Sequence, residues 1–192
     1  EILIDGKPLA EERRVYLMCN KPRGLVTTAD DTKGRPTVYR CLEGMNLPHL
    51  GPVGRLDMDS EGLLLFTNDT LWANGLLDPK HRVSKTYHVR IDGMLESGVI
   101  ARMTAGVMDE GERLRAISAK TLRLDGTCSW IEIVLEEGKN REIRRMLKAL
   151  GFEVLRLIRV RIGDLGLGDL AKGGVRHLTE AQVDGLRRFL PS

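Results

Sequence analysis

The sequence predicts an α+β domain, and three observations carry that reading. Leu63-Leu64-Leu65-Phe66 is a continuous apolar run, as a buried strand would be. Tyr87, Val89 and Ile91, and later Ile131, Ile133 and Leu135, alternate with other residues at the strand period of two. Ile143, Met146, Leu147 and Leu150 instead recur at i, i+3, i+4 and i+7, one face of a helix. A hydrophobic content of 42% over 192 residues allows a real core, and an aromatic content of 4% makes that core aliphatic.

Taken in order, Ile2 to Pro8 reads as a short strand and turn within an N-terminal arm, residues 1–14, and residues 15–192 read as the main domain. Val15 to Cys19 is a strand, broken by the turn Asn20-Lys21-Pro22-Arg23-Gly24. Lys21, Arg23, Lys33, Arg35 and Arg40 make the next segment basic, and Gly44 to Gly54, with Pro48 and Pro52, reads as a connector. After the strand Leu63 to Thr67, Asn68 or Asp69 can cap a helix running to about Leu77, with Pro79 just past its end. Val83 to Ile91 is a strand, and Leu95 to Thr104 a helix ended by Gly106. Arg113 to Ala119 and Lys120 to Leu124 are strands, Asp125-Gly126 marks a hairpin turn, and Trp130 to Glu136 is the next strand. The helix carrying Ile143 ends at Gly151 and places Arg141, Arg145 and Lys148 on its outer face, with Arg144 beside the apolar seam. Arg156 to Ile162 alternates as a strand, with Arg159 and Arg161 opposite Ile158, Val160 and Ile162. Gly163 to Gly174 reads as a loop. Thr179-x-x-Gln182 is a capping box with Leu178 and Val183 as its staple, and Val183, Leu186 and Leu190 face inward on the last helix.

Composition excludes several functions. The net charge of +3 is too small to argue for nucleic acid by itself, so the distribution of charge matters more. Cys19, Cys41 and Cys128 are far apart and odd in number, which argues against a disulfide framework or zinc site and for a reducing cytoplasm. The histidines His49, His81, His88 and His177 form no close ligand pair, and no nucleotide-binding glycine loop is visible. No apolar run reaches the roughly 20 residues of a membrane span, so no membrane is expected.

The chemistry points to Gly54-Arg55-Leu56-Asp57-Met58-Asp59-Ser60-Glu61-Gly62. Asp57, Asp59 and Glu61 stand at alternate positions beside Arg55, on a loop fixed to the buried strand. A solvated acidic turn is one reading. A calcium loop is a second, but its twelfth position is Asn68 and its body is apolar from Leu63 to Phe66. The third is a catalytic loop, with one carboxylate as nucleophile or base. Residue types alone leave these open.

The motif Gly54-Arg55-Leu56-Asp57, followed by Asp59-Ser60-Glu61-Gly62-Leu63-Leu64-Leu65, resembles the central motif of the RNA pseudouridine synthases, in their RsuA-like branch acting on ribosomal RNA. Lys21-Pro22-x-Gly24 with Gly34-Arg35-Pro36-Thr37-Val38, Lys85-Thr86-Tyr87, and Gly138 to Leu150 resemble further motifs in family order. The resemblance covers roughly Val15 to Leu190. It implies the family fold, a long, mostly antiparallel mixed sheet with flanking helices and a central RNA-binding cleft, and it makes residues 1–14 the remnant of an S4-like RNA-binding domain. It implies Asp57 as the catalytic carboxylate, Tyr87 stacking on the target base, Arg144 pairing with Asp57, and Leu56 and Ile143 packing at the pocket. Arg55, Lys21, Arg23, Arg35, Lys85, Lys139, Arg141 and Arg145 would meet RNA. No cofactor or metal is implied, because the isomerisation adds and removes nothing. The expected partner is ribosomal RNA or a pre-ribosomal particle, met by a cytoplasmic monomer. Large-subunit rRNA is favoured over small-subunit rRNA. A non-catalytic assembly protein on the same frame is a competing reading, and a glycosidase using Asp57 and Glu61 ranks last for want of aromatics.

Overall fold

The computed structural model describes residues 3–4, 7–8, 13–96 and 98–190. Within the N-terminal arm these include the antiparallel pair β1 (Leu3–Ile4) and β2 (Lys7–Pro8). The rest of that arm up to residue 12 lies outside the described residues.

The main sheet is built from β3 (Tyr16–Lys21), β4 (Gly51–Val53), β5 (Glu61–Thr67), β6 (Lys85–Asp92), β9 (Ser118–Asp125), β10 (Cys128–Leu135), β11 (Val154–Ile162), β12 (Leu165–Gly166) and β13 (Val175–His177). A separate small hairpin joins β7 (Val107–Asp109) to β8 (Glu112–Leu114). The helices are α1 (Thr70–Leu77), α2 (Val99–Ala105), α3 (Glu142–Ala149) and α4 (Glu180–Arg187). The order across the nine-stranded sheet is β13-β3-β5-β11-β6-β10-β9, with β12 on β11 and β4 on β5.

Every pairing in this sheet is antiparallel except β5 with β11, which are joined in parallel at Ile158↔Glu61 and Arg159↔Gly62. That short junction sews two antiparallel halves together. One edge of β5 is shared, because β11 takes its first residues and β4 takes Leu65, Phe66 and Thr67. The strands therefore fork at Leu63 and Leu64. Gly62 makes the junction possible: its φ is +104°, and a Cβ there would stand 2.2 Å from the Arg159 carbonyl oxygen.

The apolar run of β5 follows from its position between two layers. Leu63 and Leu65 pack with Trp72 and Leu76 of α1 and Val183 and Leu186 of α4. Leu64 and Phe66 pack on the other side with Leu17, Cys19, Val38, Leu50 and Leu56. All seven residues of β5 are buried. A third cluster places Met103 of α2 and Ile143, Met146 and Leu147 of α3 against Val89, Ile91, Ile131 and Ile133. Local capping sets the helix starts. Asp69 Oδ1 accepts from Trp72 N at 3.1 Å, and Thr179 and Gln182 form the expected capping box on α4.

Several expectations need correction. The connector Gly44 to Gly54 contains β4, and the loop Gly163 to Gly174 contains β12. The first weak strand is β8 alone, while the second extends to Ser118–Asp125. The alternation of Arg156 to Ile162 breaks after Arg159: the pairing with β6 slips between Arg159 and Arg161, so Ile162 rather than Arg161 shares the face of Leu157 and Arg159, and Arg159 is 5% exposed.

Candidate active site

The acidic loop is held from behind by the turn that follows β3. Lys21 is fully buried, and its Nζ donates to the carbonyls of Ser60 at 2.7 Å, Asp57 at 3.0 Å and Pro22 at 3.1 Å. Thr27 Oγ1 donates to Leu56 O at 2.7 Å and accepts from Leu56 N at 3.3 Å. Gly24 N donates to Met58 O at 2.7 Å. Burial pushes the Lys21 ammonium down to about 8, against the pull of the Asp59, Asp57 and Glu61 carboxylates. The expectation that Lys21 contacts RNA is therefore overturned: its charge is spent inside, on the backbone of the loop.

Two guanidiniums of α3 reach this loop, and their assignment differs from the expected one. Arg144 pairs with Asp59, Nη2 to Oδ2 at 3.1 Å, and also donates to Asp59 O and Val154 O at 3.3 Å each. Arg141 is the residue that pairs with Asp57, Nη1 to Oδ2 at 3.0 Å, while its Nη2 lies 3.4 Å from Asp59 Oδ2. The physical reason is backbone shape. Arg141 stands at the N-terminus of α3 with φ +47°, so its side chain turns back toward the loop. A non-glycine residue in that conformation costs on the order of 1–2 kcal/mol, a strain placed directly at the acidic loop. Partial burial raises the Asp59 pKa, but the hydrogen bond from Arg141 and the charge of Arg144 outweigh it and hold the carboxyl below its usual range. Burial likewise lowers the Arg144 pKa, with Asp59 opposing. Asp57 keeps 41% of its side chain accessible, enough to meet a ligand.

Glu61 plays a different part. Its side chain is 2% exposed, and it accepts from Arg156 Nε at 2.7 Å and Arg156 Nη2 at 3.1 Å, with Lys172 Nζ at 2.8 Å. Burial raises its pKa, and the Arg156 and Lys172 cations outweigh that and lower it. Glu61 therefore braces the start of β5 and is closed to a sugar or a metal.

Asp57 stands at the mouth of a cleft of about 540 Å³ that opens over the fork between β4, β5 and β11. That volume lies within the roughly 300–1,000 Å³ of small-ligand sites. Leu65, Leu135, Ile143, Leu157 and Ile162 give it apolar walls, and Tyr87, Lys85, Arg144 and Arg159 also line it. Leu56 and Ile143 are buried at its edge. Tyr87 is half-buried and pairs across the ladder with Arg159. A second cleft, of about 620 Å³, runs along Val26 to Arg35 and shares Arg55, Leu56, Asp57 and Arg141 with the first. The loop thus divides two adjoining grooves.

The remaining basic residues separate by their partners. Arg55 and Arg23 are exposed and form no ion pair among the described residues, and Arg55 lines both grooves. Arg35 is exposed but bound to Asp31 at 2.7 Å. Lys139 sits 3.0 Å from Glu137 and donates to Arg113 O at 2.8 Å. Arg145 is tied to Asp109 at 2.7 Å and Glu112 at 2.8 Å, clamping the β7–β8 hairpin to α3. Lys85 is half-buried in the cleft rather than on an outer face. Sequence reasoning missed Arg159 and Thr27. Arg159 was hidden by the slipped register, and Thr27 carried no signal beyond its place after the turn. Among the described residues, no group of three or more histidine, cysteine, aspartate or glutamate side chains could hold a metal, and no helix is long and apolar enough to cross a membrane.

Comparison with known proteins bears on this geometry. Residues 15–149 match the family model described as RNA pseudouridylate synthase. The chain is 37% identical over 190 residues to the ribosomal large subunit pseudouridine synthase B of Bacillus subtilis (strain 168), covering 97% of this chain and 77% of that protein. It is 36% identical over 196 residues to the protein of the same name from Escherichia coli (strain K12), covering 99% and 67%. A crystal structure of a pseudouridylate synthase superposes with a TM-score of 0.81 at 34% identity, covering 92% of this chain and 75% of that one.

Proposed function

The chain belongs to the RNA pseudouridylate synthase family, and from that membership we propose that it isomerises a specific uridine of large-subunit (23S) ribosomal RNA to pseudouridine. The substrate assignment follows the relatives' names. The observation that carries the site assignment is the ion pair between Asp57 and Arg141 at the mouth of a cleft that also holds Tyr87 and Arg144.

The reaction breaks the bond between C1′ and N1, turns the base, and joins C5 to C1′. The electron pair leaves with the base and returns through C5, and the C5 proton is lost as a proton is gained at N1. Asp57 acts in ionised form, as nucleophile at C1′ or as base at C2′. Arg141 orients it through the Nη1 contact at 3.0 Å, while its Nη2 holds the neighbouring Asp59. Arg144 acts one step back, fixing Asp59 and so the loop. The target base must leave its stack to enter the cleft, and Tyr87 receives it on its ring face, worth about 1–3 kcal/mol. Arg55 and Arg23, exposed and outside any ion pair among the described residues, hold the phosphate backbone, which makes binding salt-dependent. Residues 15–192 form the catalytic domain, preceded by an arm at residues 1–14. The protein works as a monomer in the cytoplasm, on ribosomal RNA or a pre-ribosomal particle.

The buried, doubly paired Glu61 removes the second carboxylate that a glycosidase would need. The test is a map of pseudouridines in total rRNA with and without the gene, complemented by wild type or by Asp57→Asn. One large-subunit pseudouridine should vanish without the gene and return only with wild type. Restoration by a folded Asp57→Asn protein would overturn the reading.

A further inference from the structure

Arg159 is the most unusual charged residue in the cleft. It is 5% exposed, yet it lines the cavity. Its Nε donates to Leu63 O at 2.8 Å, filling the fork where β4 and β11 part along the edge of β5. That bond fixes the guanidinium and leaves Nη2 buried with no hydrogen-bond partner among the described residues. No ion pair involves Arg159 among them. Lys85, on the neighbouring strand, lines the same cavity, and its only hydrogen bond there is a long one, 3.4 Å to Glu136 O. Burial and the nearby Arg159 charge both depress the Lys85 pKa. Two cations thus share the pocket, and neither forms an ion pair among the described residues. An unpaired buried donor of this kind costs about 1–3 kcal/mol or more when charged, so the site is built for an acceptor that arrives with the ligand.

The position of Arg159 says which acceptor. It is the direct cross-strand partner of Tyr87, so the two side chains stand on the same face of the sheet, one strand apart. Whatever lies flat on the Tyr87 ring presents its edge toward Arg159. A backbone phosphate stays at the hydrated rim near Arg55, whereas a planar base can pass between apolar walls to this depth.

Resting on the reading above, we propose that Arg159 and Lys85 bind the keto-oxygen edge of the extruded uracil and stabilise the negative charge it carries between glycosidic cleavage and carbon–carbon bond formation. When C1′–N1 breaks, the bonding pair goes to N1 and spreads onto the ring's carbonyl oxygens. When C5 attacks C1′, that charge is returned. A fixed guanidinium at an apolar pocket wall favours the charged interval over the neutral bound nucleotide, which speeds the reaction instead of only tightening binding. The same pair discriminates between bases. Uracil offers acceptors at both O2 and O4, while cytosine presents an amino donor at position 4, which two cations cannot receive.

The test compares wild type, Arg159→Lys, Arg159→Met and Lys85→Met in single-turnover consumption of the target nucleoside, on 23S rRNA transcripts carrying uridine or 5-fluorouridine. The fluorinated base leaves as a more stable anion and needs less help. Arg159→Met should lose about 10²–10³-fold in rate, with rRNA affinity changed less than about threefold, Arg159→Lys should recover most of the rate, and the deficit of Arg159→Met should shrink at least about tenfold on 5-fluorouridine. A folded Arg159→Met variant with wild-type rate, or with equal deficits on both transcripts, would overturn the proposal. Should Arg159→Met fail to fold, Lys85→Met decides in the same way, with an expected loss of about tenfold that narrows on 5-fluorouridine. Wild type that converts neither transcript would overturn the pseudouridine synthase reading itself, a result distinct from all of these.

Discussion

Replacing Lys21 by Met separates the two things this residue does. Its charged form is disfavoured in the fold: a pKa lowered from 10.5 to about 8 corresponds to about 3 kcal/mol. Methionine relieves that penalty. It also strips donors from the carbonyls of Pro22, Asp57 and Ser60, each worth about 1–3 kcal/mol when left unmet in a buried site. The terms nearly cancel, leaving a net loss of about 1–3 kcal/mol, or roughly 3–10 °C in Tm for a chain of this size. Activity should respond far more. The Asp57 carbonyl is one of the freed acceptors, so the loop that aims its carboxylate is released, and a shift of about 1 Å costs on the order of 10²-fold in rate. The pH profile gives an independent sign. Between about pH 8 and 10.5 the unfolded chain holds a proton that folded Lys21 has lost, so wild-type stability gains a term that rises with pH, and Lys21→Met lacks that rise. Thermal melts across pH 7–10.5 and single-turnover rates measure both. A Lys21→Met protein with wild-type rate would show that Lys21 does not position Asp57.

Further predictions rest on single contacts. Tyr87→Phe keeps the ring and should retain capture of the flipped base, while Tyr87→Ala should weaken it by about 1–3 kcal/mol, read as fluorescence of a 2-aminopurine beside the target; equal capture by both would remove the stacking role. Gly62→Ala drives a Cβ into the Arg159 carbonyl at a left-handed φ, costing about 1–3 kcal/mol for overlap with about 1–2 more for the backbone, and an unchanged Tm would contradict the strand approach described. Glu61 has a folded pKa below its ordinary 4.5, so its stabilisation is present above that value and fades as the pH falls through the folded one. Glu61→Gln should therefore cost about 1–3 kcal/mol at pH 7, less than a fully buried pair because Arg156 and Lys172 stay half in water, and it should flatten the acid limb of the melting curve; parallel acid limbs would refute this.

How much of this was legible in the sequence depended on how local each cause was. The α4 capping box and the Asp69 cap involve residues three apart, so their signatures are complete in the chain itself. The buried strand β5 was legible because both its faces demand apolar side chains. β4 was not: Gly51-Pro52-Val53 carries turn residues and becomes a strand only through its pairing with β5, a tertiary event. The motif residues were legible as a group, and the cleft does gather Asp57, Tyr87, Ile143 and Arg144. Their pairings were not, because they depend on how the start of α3, with Arg141 at φ +47°, meets the acidic loop in the fold.

The basic residues show why composition misleads about partners. Lys21, Arg23 and Arg35 sit within fifteen positions of one another and look alike as a sequence, yet one is buried under three carbonyls, one is exposed and unpaired among the described residues, and one is bound to Asp31. A positive side chain is available to RNA only after the fold's own acceptors are satisfied. By the same logic the charge most telling for function is the one the fold leaves unsatisfied where solvent cannot reach it. Arg159 meets that condition because a forked strand junction consumes one of its donors and its place on the buried face of β11 leaves Nη2 without a partner among the described residues. Neither the fork nor the slip has a local signature, so alternation alone sets Arg159 beside Arg161, on the face opposite Ile158, Val160 and Ile162.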